Sequence, residues 1–139
     1  MRPHERLEVW ERAVDFVVRI YKMTETFPRE EKFGLTSQIR RAAVSVPANI
    51  AEGAARQSSK EFNYFLSIAQ GSVRELATEI LIARKLGYLN EQTYRIDDDE
   101  LASIGRMILG LARSVKRRNA LADLLFTLHL SPEIECAYL

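Results

Sequence analysis

Cysteine is nearly missing from this chain: Cys136 stands alone, so no internal disulfide can form and no thiol pair exists to start a zinc site. A reducing, cytoplasmic setting is expected. Histidine is almost as scarce. His4 and His129 have Met1 and Phe126 three residues before them, which removes the Glu-x-x-His pairs that hold di-iron centres inside helix bundles. Only 6 Gly and 4 Pro are present, too few for a collagen-like chain, and the apolar share of 47% is too high for a disordered one. No hydrophobic run approaches the ~20 residues of a membrane span. The stretch Leu121 to Leu130 is short and contains Asp123 and His129. The first ten residues carry Arg2, His4, Glu5, Arg6 and Glu8, unlike a secretory leader, so no membrane partner is expected. An excess of either charge is also missing. The chain has 20 Lys plus Arg against 19 Asp plus Glu, and a formal net charge of +1 does not advertise a polyanionic partner.

What remains is a chain of 139 residues, 28% charged, with the profile of one ordinary soluble domain. A domain of this size hides roughly 68–70% of the surface its unfolded chain exposes. Helical periodicity runs through four segments. In the first, Trp10, Ala13, Val14, Val17, Ile20, Tyr21 and Thr24 recur at three- and four-residue steps, predicting a helix over Leu7 to Thr26 that Phe27-Pro28 ends. The second, Gly34 to Glu52, aligns Leu35, Ile39, Ala42, Ala43, Val46 and Ile50, with Gly53 expected as a left-handed C-terminal residue. Pro47 lies inside it and predicts a kink or break near Ser45.

The third segment opens with Ser58 and Glu61 at capping-box spacing, follows Phe62, Phe65, Ala69, Ser72, Leu76, Ile80 and Ala83, and closes at Gly87. Running from Ser59 to Leu86, it is expected to be the longest element. Asp97 to Glu100 then supplies acidic residues expected to cap a fourth helix on Leu101, Ile104, Ile108, Leu111 and Val115, with Lys116, Arg117 and Arg118 at its C-terminal end. Ala120 to Leu130 reads as a short fifth helix or an extension of the fourth, stopped by Ser131-Pro132. Strand signals are nearly absent, with no Asn-Gly or Asp-Gly pair. Short connections make neighbouring helices antiparallel. The expected fold is an all-α, up-down four-helix bundle over residues 1–119 with a helical tail at 120–139.

Catalytic chemistry finds little footing. Glu75 and Glu79 share a helix face, but Arg74 and Arg84 make a solvated, salt-bridged face the better account of them. Cys136 sits among the terminal residues with no catalytic signature around it. Gly71-Ser72 falls within a helix rather than after a strand, which reads as close helix approach and not as a phosphate loop. Neither an enzyme nor a cofactor or metal is expected.

The most unusual stretch runs from Gln38-Ile39-Arg40-Arg41 through Pro47-Ala48-Asn49 to Glu52-Gly53, combining a basic doublet, small residues, a mid-helix proline and a polar Asn. Together with Phe62, Phe65 and Ile68 to Leu76, it resembles the four helix bundle protein family, which includes proteins encoded in intervening sequences of large-subunit ribosomal RNA genes. The likeness extends from Leu7 and Trp10 through Phe33-Gly34-Leu35-Thr36 to Leu86-Gly87-Tyr88-Leu89 and fades along the fourth helix. It implies a bundle that assembles as a ring-like homopentamer. It also implies a more distant relationship to the accessory variability determinant of diversity-generating retroelements, in which a basic pentamer binds nucleic acid and a reverse transcriptase.

The residues offer an independent, weaker pointer to assembly. Phe62, Tyr64, Phe65, Leu66, Ile68 and Val73 spread around the third helix, more than one core requires, unless that helix is simply contacted on two sides. Arg40, Arg41, Arg56 and Lys60 are expected near the second-to-third helix junction, and Lys116, Arg117 and Arg118 form a second basic group. In a cyclic oligomer each patch repeats by symmetry, so a near-neutral chain can present a basic ring. The expected function is a non-enzymatic oligomeric adaptor that contacts structured RNA or DNA through these seven residues. The alternative is a protein scaffold whose apolar surfaces, including Leu121 to Leu128, dock a protein partner.

Overall fold

Amphipathic stripes need partners, and four of them satisfy one another around a single core. In a computed structural model, which describes residues 1–128, a short 3-10 turn at Pro3–Arg6 leads into α1 (Glu8–Thr24). A second turn at Arg29–Glu31 precedes α2 (Leu35–Ala54), and α3 (Ser59–Lys85) and α4 (Glu91–Thr127) follow. No strand occurs among the described residues. Contacts run α1 to α2, α2 to α3, α3 to α4 and back from α4 to α1, so each helix touches its two neighbours in a square. Contacts such as Arg40 with Thr24, Ser45 with Ser72, and Gln70 with Gly105 pair each helix antiparallel with the next. The architecture is the antiparallel four-helix bundle that the periodicity predicts. His129, the Ser131-Pro132 stop and Cys136 lie outside the described residues.

The core is aliphatic. Ile20, Ile39, Ile50, Leu66, Leu76, Ile80, Leu101, Ile104 and Ile108 are fully buried, with Ala13, Ala42, Ala43, Ala69 and Ala83 letting the helices approach. Each fully buried large side chain contributes about 1.5–3 kcal/mol. No helix among the described residues is long and apolar enough to cross a membrane.

Several local expectations change in the folded chain. α2 passes unbroken through Pro47, which is itself buried beside Val46 and Ile50. Burial along that seam offsets the ~3 kcal/mol that an interior proline costs. The Asn49 amide also donates to the Ser45 carbonyl at 2.8 Å, one turn back. Gly53 is not left-handed: it lies inside α2, and a Cβ there would meet the Phe65 Cβ at 2.9 Å and the Phe62 carbonyl oxygen at 3.2 Å. Its role is close approach to α3. Gly71, where the sequence suggests such an approach, faces open space instead, and a methyl group there would meet nothing within 4 Å. Gly87 does take a left-handed conformation, with φ of 82°, and ends α3 as expected.

The largest revision concerns α4. Its N-cap is Asn90, whose side chain accepts from the Thr93 N–H at 2.8 Å, so Asp97 to Glu100 lie within the helix and do not cap it. The helix then continues past Lys116, Arg117 and Arg118 to Thr127, placing those cations in its interior. At 37 residues and about 55 Å it is longer than α3, and residues 120–127 extend it without forming a fifth helix.

Two glycine substitutions separate packing from helix propensity. Gly53→Ala is expected to destabilise the fold by about 1–3 kcal/mol through overpacking against Phe62 and Phe65. Gly71→Ala is expected to stabilise it by about 0.5–1 kcal/mol, because only backbone entropy changes. Urea unfolding of both variants measures the two signs directly.

Candidate functional site

The seven cations do not divide as the sequence suggests, into Arg40, Arg41, Arg56 and Lys60 at one helix junction and Lys116, Arg117 and Arg118 as a separate group. Arg40 and Arg41 lie in the first half of α2, and Arg56 follows its C-terminus, which separates them by about 22 Å along the helix axis. The separation follows from α2 remaining one helix through Pro47. Arg40 is committed to packing: Nε donates to the Thr24 hydroxyl at 2.8 Å and the guanidinium lies 4.6 Å from the Tyr21 ring centre. Arg41 is exposed and lines a hollow with Gln38, Ser45 and Glu75. Arg56 pairs with Glu52 and lies over the Phe65 ring, bracing the α2–α3 corner. Lys60 is exposed on the first turn of α3, where the Ser58 hydroxyl accepts from the Glu61 N–H at 3.1 Å.

The other three cations lie together in the later turns of α4. Lys116 and Arg117 line a hollow of about 630 Å³ with Gly110, Arg113 and Ala120, and Arg118 reaches back to the Ser114 hydroxyl. Antiparallel pairing of α3 with α4, fixed where the Gln70 amide donates to the Gly105 carbonyl at 2.9 Å, brings the start of α3 alongside this stretch. Asn63 and Lys116 accordingly line the same groove, so Arg56, Lys60 and Lys116 to Arg118 belong to one end of the bundle.

Arg74 and Arg113 belong with this surface although the sequence did not single them out. They border the groove between α3 and α4, a hollow of about 340 Å³ floored by Leu66, Leu109 and Ala112, with Lys116 also on its wall. Among the described residues no carboxylate lines it. The signal that identifies them is register: Arg74 gains cationic neighbours only when α3 and α4 are paired.

The acidic residues are placed elsewhere. Asp97 is buried and pairs with Arg19, while Glu100 accepts from Arg12 Nη2 at 2.8 Å and Nε at 3.1 Å. The Asp97 to Glu100 cluster thus ties α4 to α1, and is not spent on the α2–α3 basic residues. Burial raises the Asp97 carboxyl above its ordinary range, with Arg19 pulling the other way.

A polar seam also crosses the α2–α3 interface. The Ser45 and Ser72 hydroxyls share a hydrogen bond of 2.7 Å, and the Asn49 amide donates to Ser45 Oγ at 2.9 Å. Glu79, buried on the same helix as Ser72, has an Oε2 with no hydrogen-bond partner among the described residues. Its expected salt-bridged surface is not what forms, because Arg84 turns instead to Glu91 at 3.3 Å. Burial pushes the Glu79 carboxyl up to about 7, and the adjacent Glu75 carboxylate adds to the rise.

The third-helix apolar residues are mostly consumed within the chain. Leu66 and Val73 are buried, Phe62 packs on the core and Phe65 abuts Gly53, leaving Tyr64 as the largely exposed one. Contact with both α2 and α4 accounts for that spread. Exposed apolar side chains also occur on α1 and α2, at Val18, Tyr21 and Val44, at Ile82 on α3, at Ile96 and Leu109 on α4, and around its end, at Leu124, Phe126 and Leu128.

Comparisons with known proteins reach across α1 to α3 and into α4. A family model described as "23S rRNA-intervening sequence protein" matches residues 5–110, a span that includes Arg40, Arg41, Arg56, Lys60 and Arg74 and stops before Arg113. Among solved structures, a protein with unknown function from the S23 ribosomal protein family of Bacteroides thetaiotaomicron is similar at 23% sequence identity and a TM-score of 0.70. The likeness covers 76% of this chain and 95% of that one. At that identity it bears on the fold alone. No curated protein matches.

The buried carboxylate sets a pH dependence whose sign is fixed. Below about pH 4.5 folded and unfolded chains both hold the proton; between there and about 7 the folded chain holds it preferentially, so stability falls across that window and then levels. Glu79→Gln removes this slope. Thermal unfolding at pH 5 and pH 8 is expected to show the wild type losing about 3 °C or more relative to the variant as pH rises.

Proposed function

The chain belongs to the 23S rRNA-intervening sequence protein family, and on that basis we propose that it is a non-enzymatic oligomeric adaptor that contacts structured nucleic acid through its basic end. The observation that carries this reading is the segregation of charge. Asp97 and Glu100 are engaged by α1, whereas Arg113, Lys116 and Arg117 line a hollow that has no carboxylate among the described residues. Arg56 and Lys60 extend that surface from the neighbouring helices, with Arg118 beside it. Phosphate contacts of this kind are electrostatic and largely independent of sequence.

Arg40 and Arg41 enter differently. Arg40 serves the α1–α2 contact, and Arg41 reaches solvent beside the exposed Tyr21 and Val44. This mixed apolar and cationic face supports self-association, for which the family resemblance implies a pentameric ring. Ring symmetry would repeat each basic end and concentrate it. A cytoplasmic location suits such a role.

The scaffold reading has its own support in Leu124, Phe126 and Leu128, exposed late on α4 beyond the stretch matched by the family. An amphipathic partner helix could use them. It predicts a complex that survives reversal of Arg40 and Arg41, since neither residue lies near that end of α4.

Two measurements decide between the readings. Light scattering of the purified protein is expected to show an assembly larger than the monomer; a monomer would remove the symmetry on which the basic ring depends. Binding to a structured RNA at low salt is expected to weaken log-linearly as salt rises, with each lost phosphate contact lowering the slope by about 0.9 on duplex. Joint reversal of Lys116, Arg117 and Arg118 to Glu is expected to abolish binding. Absence of binding by the wild type at low salt would leave the scaffold reading in place.

A further inference from the structure

Clefts between two helices differ in what they can admit, and the α3–α4 groove combines features that a rigid duplex cannot use fully. Its floor, Leu66, Leu109 and Ala112, is apolar, and its cations come from both walls, Arg74 from α3 and Arg113 and Lys116 from α4. At about 340 Å³ it lies at the small end of ligand-sized hollows. A duplex keeps its bases stacked inside and presents phosphates to the rims only, whereas an unpaired strand can lay a base or sugar on the floor. Cationic grooves with a surface for the bases are the general solution for unpaired strands, and guanidinium planes serve for stacking alongside aromatic rings. An acidic amphipathic peptide would satisfy the charge as well, but the floor offers it only three apolar side chains, short of the repeated anchors that a docked helix uses along two or three turns.

We infer that the groove between α3 and α4 receives an unpaired segment of nucleic acid, its phosphates held between Arg74 on one wall and Arg113 and Lys116 on the other, with base or sugar against Leu66, Leu109 and Ala112. This deepens the nucleic-acid reading proposed above and rests on it. Binding is then biased toward loops, bulges and single strands over continuous helix. Lys60 and Arg117 on the adjoining surface hold the flanking backbone without discriminating paired from unpaired.

The groove can be filled while every cation is kept. Ser67 is exposed on the α3 wall and its hydroxyl bonds only to its own helix, at the Tyr64 carbonyl, so Ser67→Phe occupies the groove without touching the core. Fluorescence anisotropy of the full chain with an oligouridylate of about 20 nucleotides, and with an RNA duplex of the same length, reads the effect. The wild type is expected to prefer the unpaired strand. Ser67→Phe is expected to weaken it about tenfold, the loss of one base contact, and to leave the duplex within about twofold. Equal affinity for both RNAs, or an unpaired-strand affinity that the filled groove does not change, would overturn the groove assignment while leaving the nucleic-acid reading intact. Binding of neither RNA at low salt would overturn both. A polyglutamate peptide that binds the wild type more tightly than oligouridylate does, and is lost in Ser67→Phe, would assign the groove to an acidic peptide instead. Should the Phe variant melt early, Arg113→Glu provides the second test: it is expected to cost the unpaired strand more than the duplex, and an equal loss for both counts against the groove.

Discussion

The close approach of α2 and α3 is the constraint on which the other contacts depend. Gly53 lets the backbone of α2 lie against the Phe62 and Phe65 turn of α3, at a distance no side chain would permit. From that point the two helices run antiparallel with Ser45 meeting Ser72, and Ile39, Val46 and Ile50 of α2 share one core with Leu66, Ala69, Leu76 and Ile80 of α3. Arg56 closes the corner over Phe65. Once α3 is fixed, the Gln70 to Gly105 bond sets where α4 lies, and α4 sets which acids reach Arg12 and Arg19 on α1. A shift at the first seam would therefore move the cationic groove at the last.

Two kinds of polar burial share this frame and act differently. The Ser45, Ser72 and Asn49 network is mutually satisfied, so it fixes helix register at little cost in stability. Glu79 has an unpartnered oxygen and keeps its proton more readily than a solvated carboxylate does. Its neutral form is the one compatible with its surroundings, and the neighbouring Glu75 cannot compensate a second charge. The α1–α4 contact uses the opposite solution, opposite charges brought together at Arg12 with Glu100 and Arg19 with Asp97.

Features encoded within a few residues are legible in the chain, and features that depend on distant partners are not. The four helical stripes, the Ser58 cap and the left-handed Gly87 each follow from local spacing and backbone geometry. Asp97 to Glu100 resembles a cap because acids before an apolar stripe have that pattern whether or not the helix has already begun. The deciding partners, Arg19 and Arg12, are 78 and 88 residues away. Asn90, followed by Thr93, carries the true start signal, which the acidic run beside it outweighs to the eye. Gly53 reads as a helix end and Gly71 as a close approach, and only the packing of Phe62 and Phe65 shows that the close approach belongs to Gly53. Arg74 and Arg113 are invisible as a pair for the same reason, since their shared groove exists only in the register of α3 with α4.

Because α4 is a single rod from its Asn90 cap to Thr127, it carries Asp97 and Glu100 near one end and Arg113 to Arg118 well along toward the other, with about 24 Å between Asp97 and Arg113. The acids are neutralised where they stand, by Arg19 and Arg12 across the α1–α4 contact, whereas the described residues around the Arg113, Lys116 and Arg117 hollow include no carboxylate. The field of such a chain is short-ranged: within about 8–10 Å of the late turns of α4 it is that of a cation cluster, and beyond that it fades toward the near-neutral sum. A polyanion is then felt at close approach and not at a distance.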